Sequence, residues 1–357
     1  MASGELRDIE ALRGGLAGWV GAHGELIPGG PTSGPPLHLT GVTHATAGLA
    51  NETVLVELGP DHPGLAVRLQ PLELTFPTYD LATQARVQVA VAAAGVPAPA
   101  PAVVVTDPQW IGTPFLVMPR VSGHIPGPAP VFDRWITGAD PEGQCLIHDG
   151  LIDTLAAVHG VDWAAHDLAP VLPGPTLSAA LDYWAAYVEW AGGGAPLPAL
   201  VEALSWCRAH QPTEADPAGS PPVLLWGDPR LGNLVFDDDL RVHAVLDWEL
   251  AALGPPEMDL GWYFGLDAMM DELFGRRVPG FPERAGALER YQSRSGHTVH
   301  NLAWHEIFAL VRALAINDRQ QRIAAASGQR YVGGAPAADA ALDPLARVLL
   351  ARLAAAG

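Results

Sequence analysis

The sequence of 357 residues contains no lysine, and all 20 of its basic residues are arginines. This absence excludes a Walker A loop, a Schiff-base enzyme and any other site that needs a lysine amine. Any cation that contacts a phosphate group must therefore be an arginine or a metal ion. Charged residues make up only 17% of the chain and hydrophobic residues 49%, which predicts a globular protein with a large core.

Cysteines and long apolar runs are also scarce. The two cysteines, Cys145 and Cys207, are too few for a disulfide framework or a zinc cluster, so we interpret them as free thiols in a reducing compartment. No apolar run approaches the ~20 residues that span a bilayer, so we expect no membrane partner. The first residues carry acids and no apolar segment, which argues against a secretory signal and predicts a cytoplasmic protein.

The chain is strongly acidic, with a formal net charge of −19. Binding to nucleic acid needs clustered basic residues, so nucleic acid is not an expected partner. The negative charge would suit a cationic small molecule, although an acidic surface more often serves solubility.

The pattern of predicted elements changes near Pro119. Before it, we predict a helical lead-in, short strands and one main helix, at residues 9–20, 37–42, 53–58, 65–69, 79–94, 102–105 and 114–118. After it, helical patterns dominate, beginning with residues 144–159, 177–190 and 200–210. We therefore predict an α+β protein with two lobes, residues 1–118 and 119–357, and a nucleotide cleft between them.

The most informative stretch is LLWGDPRLGNLVFDDDLRVHAVLDWELAALGPPEMDLGW, residues 224–262. It places Asp228, Asn233 and Asp247 close to short hydrophobic runs that predict strands. One acid that orients an attacking hydroxyl, followed by an amide and a second acid that hold Mg²⁺, is a set of side chains typical of phosphoryl transfer. We predict that Asp228 acts on the hydroxyl proton and that Asn233 and Asp247 bind Mg²⁺. Arg230 is predicted to point toward the γ-phosphate or an anionic substrate.

The sequence resembles the aminoglycoside phosphotransferase and choline kinase group, which shares the two-lobed protein-kinase-like fold. The resemblance runs from about residue 37 to about residue 264, and its most specific part is WGDPRLGN, then VLDWE, then GPPEMDLGW. GLANET, AVRLQP, FLVMPRVSG and LAAVHGVDW support it. The nearest subgroup contains phosphotransferase domains that stand alone in actinobacteria or are fused to acyl-CoA dehydrogenases. The resemblance implies a Mg²⁺-dependent kinase that transfers the γ-phosphoryl group of ATP or GTP to a hydroxyl of a small molecule.

The nucleotide side departs from the usual pattern of this fold. Arg68 occupies the third-strand position where the fold normally carries an ATP-contacting lysine, and Gln84 replaces the usual helix glutamate. An arginine can make a bidentate phosphate contact, and a neutral partner leaves more of its charge for the phosphates. Asn51 ends TAGLAN, which lies where a phosphate-covering loop belongs but lacks G-x-G-x-x-G. At the lobe junction, backbone groups of Met118 and Arg120 are predicted to bind adenine.

Other polar and aromatic residues of the region have structural interpretations. Asp259 is predicted to pin the catalytic loop, His159 to be a core histidine with its hydrogen bonds satisfied, and Trp226 to pack beneath the loop. The run of three aspartates at residues 237–239 is read as a solvated hairpin turn rather than a metal cluster. Glu249 stays open between a water-mediated metal contact, support of the loop and binding of a cationic substrate.

Three classes of acceptor stay open. Aminoglycosides fit the family name and the acidic chain, amino alcohols are phosphorylated by the same family, and the dehydrogenase-fused relatives point to hydroxyacyl compounds.

Two alternative functions from other classes also remain. One is a nucleotide-binding pseudokinase scaffold, because Arg68, Gln84 and Trp226 replace usual residues, and the other is a metal-dependent hydrolase.

Overall fold

The computed structural model describes residues 6–30, 37–45, 52–212, 221–327 and 344–356. Its amino-terminal part is an antiparallel five-stranded sheet with the strand order β1-β2-β3-β5-β4. The strands are β1 (Gly41–His44), β2 (Glu52–Glu57), β3 (Leu65–Leu69), β4 (Val103–Val105) and β5 (Phe115–Pro119). Two helices belong to this part, α1 (Ile9–Ala22) and α2 (Leu81–Ala93).

The two faces of the sheet are covered by different helices. Alternation along β3 turns Leu65, Val67 and Leu69 toward one face, where they are buried in a cluster with apolar side chains of α1. The same alternation turns Arg68 toward the opposite face, where α2 lies. The alternation of apolar residues along β3 therefore places Arg68 on the face of the sheet that α2 covers.

Helix α2 begins at a capping aspartate. The carboxylate of Asp80 accepts hydrogen bonds from the amides of Ala82 and Thr83, so the helix starts at Leu81, two residues later than the sequence predicts. Its apolar residues pack against Leu116 and Met118 of β5. This packing fixes the position of α2 relative to β3.

The carboxyl-terminal part is mostly helical. Its helices are α3 (Arg134–Gly138), α4 (Pro141–His159), α5 (Leu177–Ala191), α6 (Pro198–Ala209), α7 (Glu257–Phe274), α8 (Arg284–Ser295), α9 (Leu302–Ala326) and α10 (Pro344–Ala356). Helices α4, α7 and α8 contribute to one large apolar core, and α5, α6, α9 and α10 contribute to a second.

Two short antiparallel ladders lie on either side of the motif WGDPRLGN. Strand β6 (Val223–Leu225) pairs with β9 (Ala252–Gly254), and β7 (Leu234–Phe236) pairs with β8 (Val242–Val245). The segments that leave β6 and β8 are therefore held side by side.

This architecture confirms the predicted α+β class and the protein-kinase-like arrangement of a β-rich part and a helical part. The first strand differs from its prediction at residues 37–42, since pairing with β2 gives a strand over Gly41–His44. The predicted lobe boundary after Met118 falls within β5. Cys207 is buried and Cys145 half-buried, and both are free thiols. None of the helices within the described residues has the length and apolar content needed to span a bilayer.

Candidate active site

The loop after β6 requires glycine at its first turn. Gly227 has φ +93, and a Cβ there would lie 2.1 Å from the carbonyl oxygen of Leu250. The close approach lets the chain turn sharply out of β6 and presents Asp228 at the start of the loop. A side chain at position 227 would push the two segments of the site apart.

Three donors converge on the carboxylate of Asp228. Its Oδ2 accepts hydrogen bonds from Asn233 Nδ2 at 2.8 Å and from Arg230 Nε at 2.8 Å. Its Oδ1 accepts one from the indole Nε1 of Trp262 at 2.8 Å. One guanidinium and two neutral N–H donors together hold the carboxylate of Asp228 in a fixed orientation.

Asn233 lies at the point where the two ladders bring the motif together. Its Nδ2 also donates to the backbone carbonyl of Asp228 at 2.9 Å, so its side-chain oxygen is the atom left for a ligand. Its backbone carbonyl accepts from the amide of Leu246 at 2.9 Å, which places Asn233 beside the residue that precedes Asp247. Asn233 and Asp247, the two predicted metal ligands, therefore lie close together at the end of the β7–β8 ladder.

Asp247 adopts the left-handed backbone region, with φ +64. Arg68 Nη1 lies 3.2 Å from its Oδ1 and donates to Gln84 Oε1 at 3.0 Å. Burial opposes the charge of Arg68, but the charges of the Asp247 and Glu249 carboxylates prevail and raise its pKa. The structure therefore brings the predicted β3 cation, its α2 partner and a predicted metal ligand into one hydrogen-bonded group.

Asp259 at the start of α7 anchors the loop that carries Asp228, as the sequence predicts. Its Oδ2 accepts from the amide of Trp226 at 2.7 Å and its Oδ1 from the amide of Gly227 at 3.0 Å. His159 Nε2 lies 3.1 Å from Oδ2, and His159 Nδ1 lies 2.7 Å from the hydroxyl of Tyr291. The prediction of a satisfied core histidine is confirmed, because both ring nitrogens have partners.

Two further structural predictions from the sequence are confirmed. Trp226 is fully buried, and its Nε1 donates to the carbonyl of Leu246 at 2.8 Å. Between β7 and β8, Asp237 Oδ1 accepts from the amides of Asp239 and Arg241, which makes the aspartate run a hairpin turn. No cluster of three or more histidine, cysteine, aspartate or glutamate side chains suited to a metal occurs in the described parts of the chain.

The backbone at the lobe junction requires a correction. The amide of Arg120 donates to the carbonyl of Gly64 at 3.1 Å, and Met118 is in register with β3. Because backbone groups alternate in direction along a strand, those of Met118 and Arg120 both face β3 and do not fit the predicted adenine contacts. The groups that face away from β3 are the carbonyl of Pro119 and, next along the chain, the amide of Val121. Asn51 and the rest of TAGLAN lie outside the described residues.

Sequence reasoning missed two residues of this site, Trp262 and Arg312. Trp262 lies on α7 and reaches Asp228 through its indole N–H. Arg312 lies on α9, and its Nη2 donates to the carbonyl of Gly227 at 3.0 Å while its guanidinium stacks 4.6 Å from the Trp262 ring. The sequence does show an arginine within an otherwise apolar helical run, FALVRALA, which is unusual enough to mark Arg312. It does not show that α9 packs against this loop.

A cavity of about 420 Å³ opens beside Gly227. Its wall combines the start of α2, the amino-terminal half of α5 and the segment after Asp247. Glu249, Tyr183 and Arg312 supply polar groups to the wall, whereas Leu172 and Trp184 supply apolar surface. The cavity has the size and composition of a small-molecule site.

The fold matches those of solved phosphotransferase structures. A candidate aminoglycoside phosphotransferase of Ralstonia eutropha superposes with a TM-score of 0.68 at 24% identity, covering 98% of both chains. The macrolide 2′-phosphotransferase MphH of Brachybacterium faecium gives a TM-score of 0.53 at 20% identity, covering 83% of this chain and 95% of that one.

The chain is also similar in sequence to parts of larger proteins. It is 29% identical over 228 residues to the probable acyl-CoA dehydrogenase IBR3 of Arabidopsis thaliana, covering 59% of this chain and 27% of that protein. It is 30% identical over 160 residues to acyl-CoA dehydrogenase family member 11 of Homo sapiens, covering 44% and 19%. The chain thus spans at most about a quarter of the length of these relatives.

The family assignment rests on a match across most of the chain. The model of the phosphotransferase enzyme family, APH, matches residues 41–298, which include every predicted site residue. The kinase-like fold and the arrangement around Asp228 agree with that match. The chain therefore belongs to the APH phosphotransferase enzyme family.

Proposed function

We propose that the protein is a cytoplasmic small-molecule kinase that transfers the γ-phosphoryl group of ATP or GTP to a hydroxyl of its acceptor. The observation that carries this proposal is the convergence of Asn233, Arg230 and Trp262 on the carboxylate of Asp228. Three donors fix the direction of this carboxylate, which is the positioning that phosphoryl transfer needs from its catalytic acid.

The occupied positions on Asp228 indicate where the acceptor binds. A carboxylate offers about four acceptor positions, and the two on Oδ2 are taken by Asn233 and Arg230. Trp262 takes one of the two on Oδ1. The acceptor hydroxyl therefore donates to the remaining position on Oδ1, and Asp228 receives its proton as the oxygen attacks phosphorus.

Asn233 and Asp247 fit a magnesium site. They offer an amide oxygen and a carboxylate, which are the hard ligands that Mg²⁺ prefers, with waters and phosphate oxygens completing the coordination. When bound, the ion neutralises charge that develops on the transferred group. If Asp247 turned from Arg68 toward the ion, the guanidinium of Arg68 would be available to bind a phosphate oxygen.

Adenine or guanine would bind beside the end of β5 that extends past its pairing with β4. The register of β3 and β5 supports hydrogen bonds from the base to the carbonyl of Pro119 and the amide of Val121. The buried apolar side chains of β5 would pack against one face of the base.

A panel of acceptors tests the proposal through formation of ADP or GDP. The panel includes aminoglycosides, choline-like amines, hydroxyacyl thioesters and hydroxy acids, each with ATP or GTP and Mg²⁺. Acceptor-dependent formation of the diphosphate is the expected result. Release of phosphate without any acceptor would instead indicate a hydrolase.

The ion pair between Arg68 and Asp247 favours one alternative, a nucleotide-binding scaffold without transfer, because it occupies a predicted metal ligand. Calorimetry separates the two functions. Nucleotide binding together with no transfer to any acceptor of the panel would support the scaffold and contradict the kinase.

A further inference from the structure

Residues 70–80 connect β3 to α2 and form a loop that is closed at its base. Arg68, near the end of β3, donates from Nη1 to Oε1 of Gln84 in the first turn of α2 at 3.0 Å. The carboxylate of Asp80 caps the same turn by accepting from its first free amides. Because one hydrogen bond joins the two ends of this β3–α2 loop, the position of the loop and the geometry of the Arg68–Gln84 pair depend on each other.

The middle of the β3–α2 loop is buried against the helical part of the molecule. Phe76 is 8% exposed and belongs to the apolar core to which α5, α6, α9 and α10 contribute. Its ring lies 5.6 Å from that of Tyr187 on α5. Connecting loops usually lie on the surface, because their backbone groups need water or another partner. A loop whose centre lies in the core of the other part of the molecule is therefore a fixed attachment.

Two hydrogen bonds hold the backbone of this attachment. The hydroxyl of Tyr187 donates to the carbonyl of Thr75 at 2.8 Å, and both residues are buried. Nε of Arg319, on α9, donates to the carbonyl of Leu74 at 2.9 Å, while its guanidinium stacks 4.6 Å from the ring of Trp190. Bonds to backbone carbonyls fix the path of the chain itself. The loop therefore has a defined position on α5 and α9.

We propose that the β3–α2 loop couples the two parts of the molecule, with Tyr187 and Arg319 as positioning residues that set the geometry of the Arg68–Gln84 pair for the nucleotide. The proposal rests on the proposed kinase function for the role of Arg68 at the phosphates. A loop released from α5 and α9 would leave the pair free to adopt other arrangements. Ordering the pair again would then cost part of the binding free energy of the nucleotide.

Two measurements on the full chain test the two steps of this coupling. Hydrogen exchange of the nucleotide-free protein reports the order of the loop and α2, residues 70–93, and calorimetry with ATP or GTP and Mg²⁺ reports nucleotide affinity. Arg319→Met and Tyr187→Phe each remove one bond to the loop. Exchange in the loop and the first turn of α2 should become faster, and nucleotide affinity should fall about twofold to tenfold, which is the effect of one hydrogen bond. Exchange in the middle of α5 and α9 should stay at the wild-type rate.

Arg322 and Trp304 provide matched controls on α9. Nη2 of Arg322 donates to the carbonyl of Ala195 at 3.2 Å, and Nε1 of Trp304 donates to the carbonyl of Cys207 at 3.1 Å. Both bonds lie within the helical part and do not involve the β3–α2 loop. Arg322→Met and Trp304→Phe should therefore keep the wild-type exchange of residues 70–93 and the wild-type nucleotide affinity.

Arg319→Lys separates the bond to the loop from general damage, because the lysine amine can still donate to the carbonyl of Leu74 and should recover most of the loss. The proposal is overturned if exchange of residues 70–93 or nucleotide affinity is unchanged in Arg319→Met and Tyr187→Phe. Equal losses in Trp304→Phe would also overturn it, because the effect would then belong to the whole helical part. If the wild type binds neither ATP nor GTP, the kinase function is contradicted, whereas faster exchange confined to the loop and α2 still supports the attachment.

Discussion

Arg68 and Asp247 are separated by 179 positions in the sequence, yet their side chains form an ion pair of 3.2 Å. Arg68 comes from β3, and Asp247 follows β8. The same Arg68 nitrogen also donates to Gln84 on α2. One guanidinium therefore connects the sheet, the main helix of the β-rich part and the candidate metal site.

The first prediction concerns this guanidinium. Arg68→Met should weaken nucleotide binding by about tenfold to a hundredfold, because it removes a charged hydrogen-bond donor from the phosphates. Arg68→Lys should recover only part of the loss, since one ammonium lacks the fork of a guanidinium. Calorimetric titration with ATP and Mg²⁺ measures both. Arg86→Met is the control, because Arg86 pairs with Asp167 on the exposed side of α2; equal losses in the two Met variants would refute the role of Arg68.

Trp262→Phe should lower kcat about tenfold and change KM little. The variant keeps an aromatic ring beneath Arg312 but removes the hydrogen bond that fixes Oδ1 of Asp228. Steady-state kinetics with the acceptor found in the panel provide the measurement. Trp163→Phe removes a comparable indole bond, to the carbonyl of Pro222, and should leave kcat unchanged. A wild-type kcat in Trp262→Phe would show that its bond to Asp228 is dispensable.

Asp247→Ala should reduce the Mg²⁺-dependent part of nucleotide affinity. The variant removes one of two proposed protein ligands and leaves Asn233 alone. Calorimetry with and without Mg²⁺ isolates this part, and Asp239→Ala in the exposed hairpin turn serves as the control. Unchanged Mg²⁺ dependence in Asp247→Ala would exclude this residue as a ligand.

His148 should make stability depend on pH. Burial, with the charges of Arg277 and Arg290, lowers its pKa from 6.5 to about 4 in the folded chain. The folded state therefore favours the neutral ring, and this stability is present above pH 6.5 and is lost as pH falls toward 4, up to about 3 kcal/mol.

The measurement for His148 is the melting temperature between pH 7.5 and pH 5. His148 packs near Phe281 and Tyr263, so Phe can replace it among aromatic rings. His148→Phe should lose less of its melting temperature on acidification than the wild type. His243→Phe, at an exposed position, should follow the wild type. Identical pH dependence in His148→Phe and the wild type would refute the assignment.

The sequence predicted the fold class and the position of the loop because both depend on local signals. Alternation on β3 identified Leu65–Leu69 with its observed bounds, and the positions of Asp228, Asn233 and Asp247 followed from short strands around turn residues. Asp259 was recognisable as an anchor because it lies in the same motif as the loop that it holds.

The remaining parts depend on contacts between distant segments. Arg312 joins the site only because α9 packs across α7, which local patterns do not encode. The backbone groups of Met118 and Arg120 do not fit the adenine contacts predicted for them, because the direction of backbone groups depends on the register of β5 against β3. A shift of one residue in a strand reverses which edge its hydrogen-bonding groups face.

The most direct test of the account is the rate of phosphoryl transfer by Asp228→Asn, measured together with its affinity for ATP. Asparagine keeps the shape of the side chain but cannot accept the hydroxyl proton, so transfer should fall by roughly 10²–10⁴-fold while calorimetric ATP binding stays within about twofold of wild type. Asp237→Asn, in the nearby hairpin turn, should transfer at the wild-type rate. A wild-type rate of transfer by Asp228→Asn would contradict the proposal that Asp228 accepts the proton of the acceptor hydroxyl.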